Sequence, residues 1–392
     1  MTPRRIINKA KSMATGAFVT PWQDHARAKI MMIGFWGNMA YGIQSFALNY
    51  AMAGEGFTQS IIYQILRMVI MGVLIAPLTF WLISQYPSRF LLALMQAVGI
   101  LFFLVDPASG FFNAVGFAMT GTSYWVLYNY NIAMGQSREN YGNETALSSF
   151  IIIVSYSAGL FLGGVLLEHD LLSTATIGGS IVAIIVTQLL FKHVPKAAHM
   201  HDAKRLIGWD KPSTRLSILA SLQNIVIDGC MPIWMRVIGL SPLTAGLNMA
   251  LRPIIGTMLT PVAGLLIQRG GLKAPQLGAI ALVTGWILLA TTHTFPWLLV
   301  IAMTALSMGT NLISPAEISR WYKRRSAAGV IARELLMVAG RVPAFVMAIP
   351  VIFFAPLAYP FLGLAVTGLF VWGTRPKRKG LGQRIKEVVG LD

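Results

Sequence analysis

The chain has 392 residues, of which 55% are hydrophobic and only 11% charged, against roughly 25% charged in water-soluble domains. Its 31 lysines and arginines outnumber 14 acids, for a net charge of +17. These values exclude a soluble globular domain. The single Cys230 excludes a disulfide framework within the chain, and basic residues dispersed over short connections argue against a nucleic-acid surface.

The hydropathy pattern predicts an all-α polytopic membrane protein with about twelve spans, each near the length needed to cross a bilayer. In chain order the first half has spans at Lys29–Ala53, Ser60–Ile83, Phe90–Val105, Phe111–Met134, Thr145–Leu167 and Leu171–Phe191. After the longest connection come Leu216–Val237, Leu243–Ile267, Pro275–Thr292, Pro296–Ala316, Ala327–Phe354 and Leu357–Thr374. Alternate connections, beginning with the N-terminus, hold 26 of the 31 basic residues, and the other set holds none. Lysine and arginine are enriched in cytoplasmic loops, so both termini are expected inside. The opposite turns carry Glu55, Asp106, Glu168 and Asp170. Trp234 and Trp297 are expected at outer span ends and Trp81, Trp321 and Trp372 at inner ends, where amphipathic rings favour the interface.

The expected organisation is a cytoplasmic N-terminal segment (1–28), a six-helix bundle (29–191), a cytoplasmic central loop (192–215), a second six-helix bundle (216–374) and a basic cytoplasmic tail (375–392). The halves echo each other at an offset of 184 residues: Pro77 with Pro261, Leu82 with Leu266, Gln44 with Asp228, and Arg67 one position short of Arg252. Internal duplication of this kind is a habit of transporter folds.

Ionisable groups inside a span cost about 3 kcal/mol on insertion scales and mark cavities or partners. This chain has Arg67, Asp228, Arg236, Arg252, Arg333, Glu334 and Arg341 within its spans. Arg236 lies near an outer end and can snorkel. Asp228, Arg252 and Arg341 fall closest to the midplane, and Glu334 and Arg341, seven apart, share a helix face. Asp228 is expected to balance Arg252 or Arg341, leaving an arginine whose planar fork suits a carboxylate or phosphate. Five arginines against two acids point to an anionic or zwitterionic solute. Asp228 and Glu334 are the candidates for carrying a coupled proton. In the first half, Asn38, Tyr41 and Gln44 share one helix face, and Tyr124, Tyr128, Asn129, Tyr130 and Asn131 cluster in the fourth span. The alternative role for these groups is bonding between helices. His199 and His201 lack a third ligand at suitable spacing, and the chain has no phosphate-cradling loop and no nucleophile elbow. No enzyme activity, metal or cofactor is expected.

After the eighth span stands Gly264-Leu265-Leu266-Ile267-Gln268-Arg269-Gly270-Gly271. It resembles the G-x-L-x-D-R-x-G loop of the major facilitator superfamily, with Gln268 in place of the acid. Phe80–Arg89, its first-half counterpart, keeps only Leu82 and Arg89. Gly159-Leu160-Phe161-Leu162-Gly163-Gly164 is similar to the G-P-x-x-G-G signature of drug antiporters, with Leu160 for the proline; the alternative is close helix packing. Tyr124–Asn129, Arg333-Glu334 and Gly340-Arg341 resemble poorly characterised bacterial members. The resemblance implies two pseudo-symmetric six-helix bundles around a central cavity, lined by spans 1 and 4 from one half and by spans 7, 8 and 11 from the other. The expected function is secondary active transport of a small organic solute by alternating access, with Arg341, Arg252, Arg67, Asn38, Tyr41, Gln44, Tyr124 and Tyr128 as substrate contacts. Proton coupling and residence in a bacterial inner membrane are part of this expectation. A transporter-shaped membrane partner or assembly factor that does not transport is the alternative.

Overall fold

The computed structural model describes residues 25–135, 141–194, 211–256, 273–292, 298–322 and 327–374. Among these there is no strand. The helices are α1 His25–Gly54; α2, built from Phe57–Val69, a π-helical stretch Ile70–Ile75 and Ala76–Ser84; α3 Arg89–Val105; α4 Gly110–Gly135; α5 Tyr141–Glu168; and α6, a π turn Thr174–Gly178 running into Gly179–Phe191. The second half has α7, in two pieces Pro212–Asp228 and Met231–Val237; α8 Pro242–Gly256; α9 Lys273–Ala290; α10 Leu298–Tyr322; α11 Ala327–Phe354; and α12 Tyr359–Thr374, preceded by a 3-10 turn Pro356–Ala358. Seven described helical stretches are long and apolar enough to cross a membrane, and two more are apolar and shorter. The Gly264–Gly271 motif lies outside the described residues.

The principal helix contacts repeat with six added to the helix number. Helix α1 packs on α5 and α6, and α7 on α11 and α12; α3 packs on α4, and α9 on α10; α2 packs on α4, and α8 on α10. The contacts between halves obey the same rule, α2 meeting α11 and α8 meeting α5. This is the polytopic all-α architecture of two pseudo-symmetric bundles.

Lipid tails are as apolar as leucine, so helices associate through close backbone approach and interhelical hydrogen bonds rather than hydrophobic expulsion. The glycines of Gly159–Gly164 supply that approach. A Cβ on Gly159 would come within 2.2 Å of the Met39 carbonyl oxygen on α1, and one on Gly164 within 3.0 Å of Gly246 Cα on α8. Gly340 repeats the first crossing in the other half, where a Cβ would lie 2.2 Å from the Ile218 carbonyl oxygen. Gly159→Val is therefore expected to destabilise the protein by about 1–3 kcal/mol through overpacking. Gly178→Ala, where a Cβ meets nothing within 4 Å, should leave the thermal unfolding midpoint in detergent unchanged. Equal midpoints for the two variants would refute the close-packing role.

Three expectations need correction. Span 7 is not continuous: it breaks after Asp228, because Pro232 lacks a backbone N–H and its ring clashes with the carbonyl four residues back, which is that of Asp228. Helix α10 runs past Ala316 to Tyr322 and carries Glu317 into the core, 4% exposed. Two tryptophans expected at the interface are buried instead. Trp234 donates to the Pro356 carbonyl at 2.9 Å, and Trp321 donates to Ser217 Oγ at 2.6 Å. An indole N–H finds a protein acceptor when buried. Trp81 and Trp372 are exposed.

Candidate functional site

A cavity of about 230 Å3 lies between the halves. From the first half its wall receives Tyr41 and Ser45 on α1, Arg67 and Met68 on α2, Trp125 on α4, and Ser149 and Tyr156 on α5. The second half contributes Asn224 and Asp228 on α7, Arg252 on α8, Asn311, Ser314 and Glu317 on α10, and Arg333, Met337 and Arg341 on α11. Four charged residues of this second wall stand beside helix prolines: Asp228 before Pro232, Arg252 before Pro253, Glu317 after Pro315 and Arg341 before Pro343. A proline interrupts the hydrogen-bond ladder of its helix and so re-aims the side chains beside it.

The charges fall into three groups. Asp228 and Arg252 form an ion pair. Arg252 is 5% exposed and Asp228 36%, so the carboxylate is the member open to the cavity. A second group is a buried chain of bonds. Arg333 Nε donates to both Glu317 oxygens at 3.1 and 3.0 Å, and its Nη1 donates to Glu334 at 3.4 Å. Ser217 donates to Glu317 at 2.6 Å. Asn129 of α4 donates to Glu334 at 3.4 Å, which ties the first half to the second.

The third group has no acid. Arg67, 2% exposed, donates to Asn49 at 3.3 Å, to Tyr63 at 3.0 Å and to Gln64 at 2.7 Å. Its guanidinium carbon lies 4.9 Å from the Tyr63 ring centroid and 5.1 Å from that of Phe117. Its Nε is buried without an acceptor. Arg341, half-buried, reaches only sulfur among the described residues: Met68 Sδ at 3.9 Å and Met337 Sδ at 3.4 Å. Among the described residues no carboxylate lies within ion-pair distance of either arginine. One cation from each half thus lines the cavity with no carboxylate in ion-pair contact among the described residues.

Of the expected substrate contacts, Arg341, Arg252, Arg67 and Tyr41 stand on the cavity wall, together with Asp228. Asn38, Gln44, Tyr124 and Tyr128 do not. Tyr124 donates to Asn38 at 2.7 Å and to the Gly34 carbonyl at 2.9 Å. Gln44 donates to the Thr176 carbonyl at 2.7 Å and to Ser180 at 2.6 Å, joining α1 to α6. Tyr128 is stacked on Tyr124 with centroids 5.9 Å apart. The bonds of Tyr124 and Gln44 and the stacked ring of Tyr128 take these side chains up in contacts of α1 with α4 and α6. Glu334 is not on the wall and instead joins Arg333. Glu317, Trp125 and Tyr156 are wall residues that the hydropathy pattern did not single out. For Glu317 a signal existed: Ser307, Asn311, Ser314 and Glu317 recur at helical spacing, one polar stripe on α10.

Arg236, at the other end of α7, has its guanidinium 5.1 Å from the Tyr50 ring centroid. Nearby, Tyr50 donates to the Leu240 carbonyl, and Glu168 accepts from the Leu243 N–H at 3.0 Å. Phe57 packs on Phe353 and Phe354 at 5.8 and 5.1 Å. At this end of the molecule the halves touch.

Twelve helices among the described residues, related by a six-helix repeat around a cavity with charged side chains on its wall, make this an integral membrane protein with the fold of the major facilitator superfamily. Solved structures similar to it include the human organic anion transporter MFSD10 (TETRAN), at 14% identity over 94% of this chain and 88% of that one, with a TM-score of 0.53. Also similar is the xylose transporter XylE from E. coli in a partially occluded inward open conformation, at 14% identity over 89% of this chain and 99% of that one, TM-score 0.63. The proton:xylose symporter XylE bound to 6-bromo-6-deoxy-D-glucose shares 15% identity over 90% and 96% of the two chains, TM-score 0.62. No family model and no curated protein matches the chain by sequence. At these identities the likeness is one of fold.

Proposed function

We propose that this protein is a secondary active transporter that moves a small anionic or zwitterionic organic solute by alternating access. The observation that carries the reading is the pair of arginines without a carboxylate, Arg67 from the first half and Arg341 from the second, on the wall of one cavity. A solute carboxylate or phosphate held between them would bond both halves at once. Its arrival and departure would then bias how the bundles rock about the central site. The likeness in fold to a human organic anion transporter and to a proton:xylose symporter supports the class.

On this reading residues 29–191 and 216–374 are the two moving bundles, joined by the cytoplasmic loop 192–215. Residues 1–28 and 375–392 face the cytoplasm, and the membrane is a bacterial inner membrane. The distribution of basic residues supports that orientation. Asp228 carries the coupled proton: it is the acid open to the cavity, and Arg252 beside it makes its charge state matter to the α7–α8 contact. Glu334, off the wall and bonded to Arg333, is the second candidate.

Uptake or efflux of labelled organic anions by reconstituted vesicles tests the function. With an imposed pH gradient, the wild type is expected to accumulate solute, and Asp228→Asn to transport without dependence on the gradient. Proton coupling fails if the variant retains the full gradient dependence. Vesicles that move no organic anion, zwitterion or sugar above protein-free controls would overturn the transporter reading.

A further inference from the structure

We infer that the cavity takes a single-ring aromatic carboxylate, its acid group at Arg67 and Arg341 and its ring against Tyr41, Trp125 and Tyr156; this rests on the transporter reading above for its biological use, though not for binding. Three observations meet here. The first is the unmade hydrogen bond at Arg67. Asn49, Tyr63 and Gln64 occupy its two Nη groups, while its Nε–H is buried with no acceptor. Buried donors are nearly always satisfied, and an unpaired one on a charged group is expensive. A carboxylate oxygen supplies the missing acceptor. Arg341 is the second cation, and its Nη1 lies 3.9 Å from the sulfur of Met68, the residue next to Arg67. Thioether sulfur is a weak acceptor that a carboxylate displaces at little cost.

The second observation is a division among the aromatic side chains of the first half. Tyr63, Tyr124 and Tyr128 are fully buried, and hydrogen bonds or ring stacking fix them into helix contacts. Tyr41, Trp125 and Tyr156 are only half-buried, and all three stand on the cavity wall. They form one continuous aromatic surface: Tyr41 and Trp125 stack with centroids 5.8 Å apart, and Tyr41 meets Tyr156 at 6.1 Å. A planar ring gains offset-stacked or edge-to-face contacts there that a saturated ring of equal size cannot make.

The third is size. About 230 Å3 falls below the roughly 300–1,000 Å3 of pockets that take drug-sized ligands. That space is matched to one substituted ring rather than to a disaccharide or nucleotide.

Calorimetric titration of the purified full-length protein in detergent tests the inference with five probes: benzoate, 4-hydroxybenzoate, cyclohexanecarboxylate, benzyl alcohol and xylose. At least one of the two aromatic acids is expected to bind about tenfold more tightly than cyclohexanecarboxylate, the scale of aromatic-pair energies, and benzyl alcohol to bind more weakly than either. Trp125→Leu should erase the aromatic preference while keeping affinity for cyclohexanecarboxylate, which also shows that the variant folds. Equal affinity for the aromatic and saturated acids overturns the proposal, as does binding of xylose alone or of neither aromatic acid. Vesicle uptake separates the two readings. Transport of anions without aromatic preference rejects this inference and leaves the transporter standing. Aromatic acids that bind but are never moved leave this inference and reject the transporter.

Discussion

Replacing Arg333 by methionine is expected to destabilise the protein by about 3–5 kcal/mol, the usual cost of removing one partner from a buried ion pair. Arg333 lies between two carboxylates, Glu317 on α10 and Glu334 beside it on α11. All three side chains are less than one-tenth exposed. Without the guanidinium, two acids face each other across a desolvated space, and one of them must take up a proton or drag water inward. The remaining bonds, from Ser217 to Glu317 and from Asn129 to Glu334, are neutral donors and cannot replace the lost charge. The prediction has an internal control. Arg333→Met combined with Glu317→Gln and Glu334→Gln removes the stranded charges and should recover most of the loss. Thermal and denaturant unfolding in detergent measure both variants. If the triple variant is no more stable than the single one, the ion cluster is not what holds α10 against α11.

Arg341→Ala is expected to do the reverse, leaving the fold intact and disabling the site. Its guanidinium bonds only to the sulfurs of Met68 and Met337, so little structural energy goes with it. A hydrogen bond to a charged partner is worth about 1.5–3 kcal/mol, which at about 1.4 kcal/mol per tenfold is roughly a 10- to 150-fold loss in anion affinity. Arg341→Lys should retain part of the binding, because lysine keeps the charge and loses the planar fork. Solute affinity by calorimetry and uptake by vesicles are the readouts, with the unfolding midpoint as control. Unchanged uptake in Arg341→Ala would remove Arg341 from the site.

Much of this was legible in the linear chain. Apolar stretches translate into helices because a backbone in lipid must satisfy its own hydrogen bonds, and among the described residues each of the twelve stretches holds a helix. The offset of 184 residues appears in three dimensions as the six-helix repeat of contacts. Arg67 and its near-equivalent Arg252 both reach the cavity. Gln44 and Asp228, equivalent in the sequence, do not behave alike: Gln44 bonds α1 to α6, whereas Asp228 faces the cavity beside Arg252. Duplication preserves backbone position, and side-chain role then depends on which way each helix is rotated.

The same distinction explains the remaining differences. Pro232, Pro253, Pro315 and Pro343 were visible in the sequence, and each marks a charged residue of the cavity wall. Their meaning depends on α7, α8, α10 and α11 meeting around one space. Glu317 looked like a loop residue because the three arginines and one lysine that follow it, between Arg320 and Arg325, end the apolar stretch. It is buried because Arg333, sixteen residues later on the next helix, provides the charge that makes burial tolerable. Asn38 and Tyr124 had the right spacing for a cavity face, yet Tyr124 donates to Asn38 and joins α4 to α1. Composition and periodicity therefore determined what this chain must do with its backbone in a bilayer and where its apolar helices fall along the sequence. Only the tertiary structure decided which polar groups found partners and which were left to face the cavity, because hydrogen bonding between helices depends on rotation and crossing geometry that one helix's sequence does not contain.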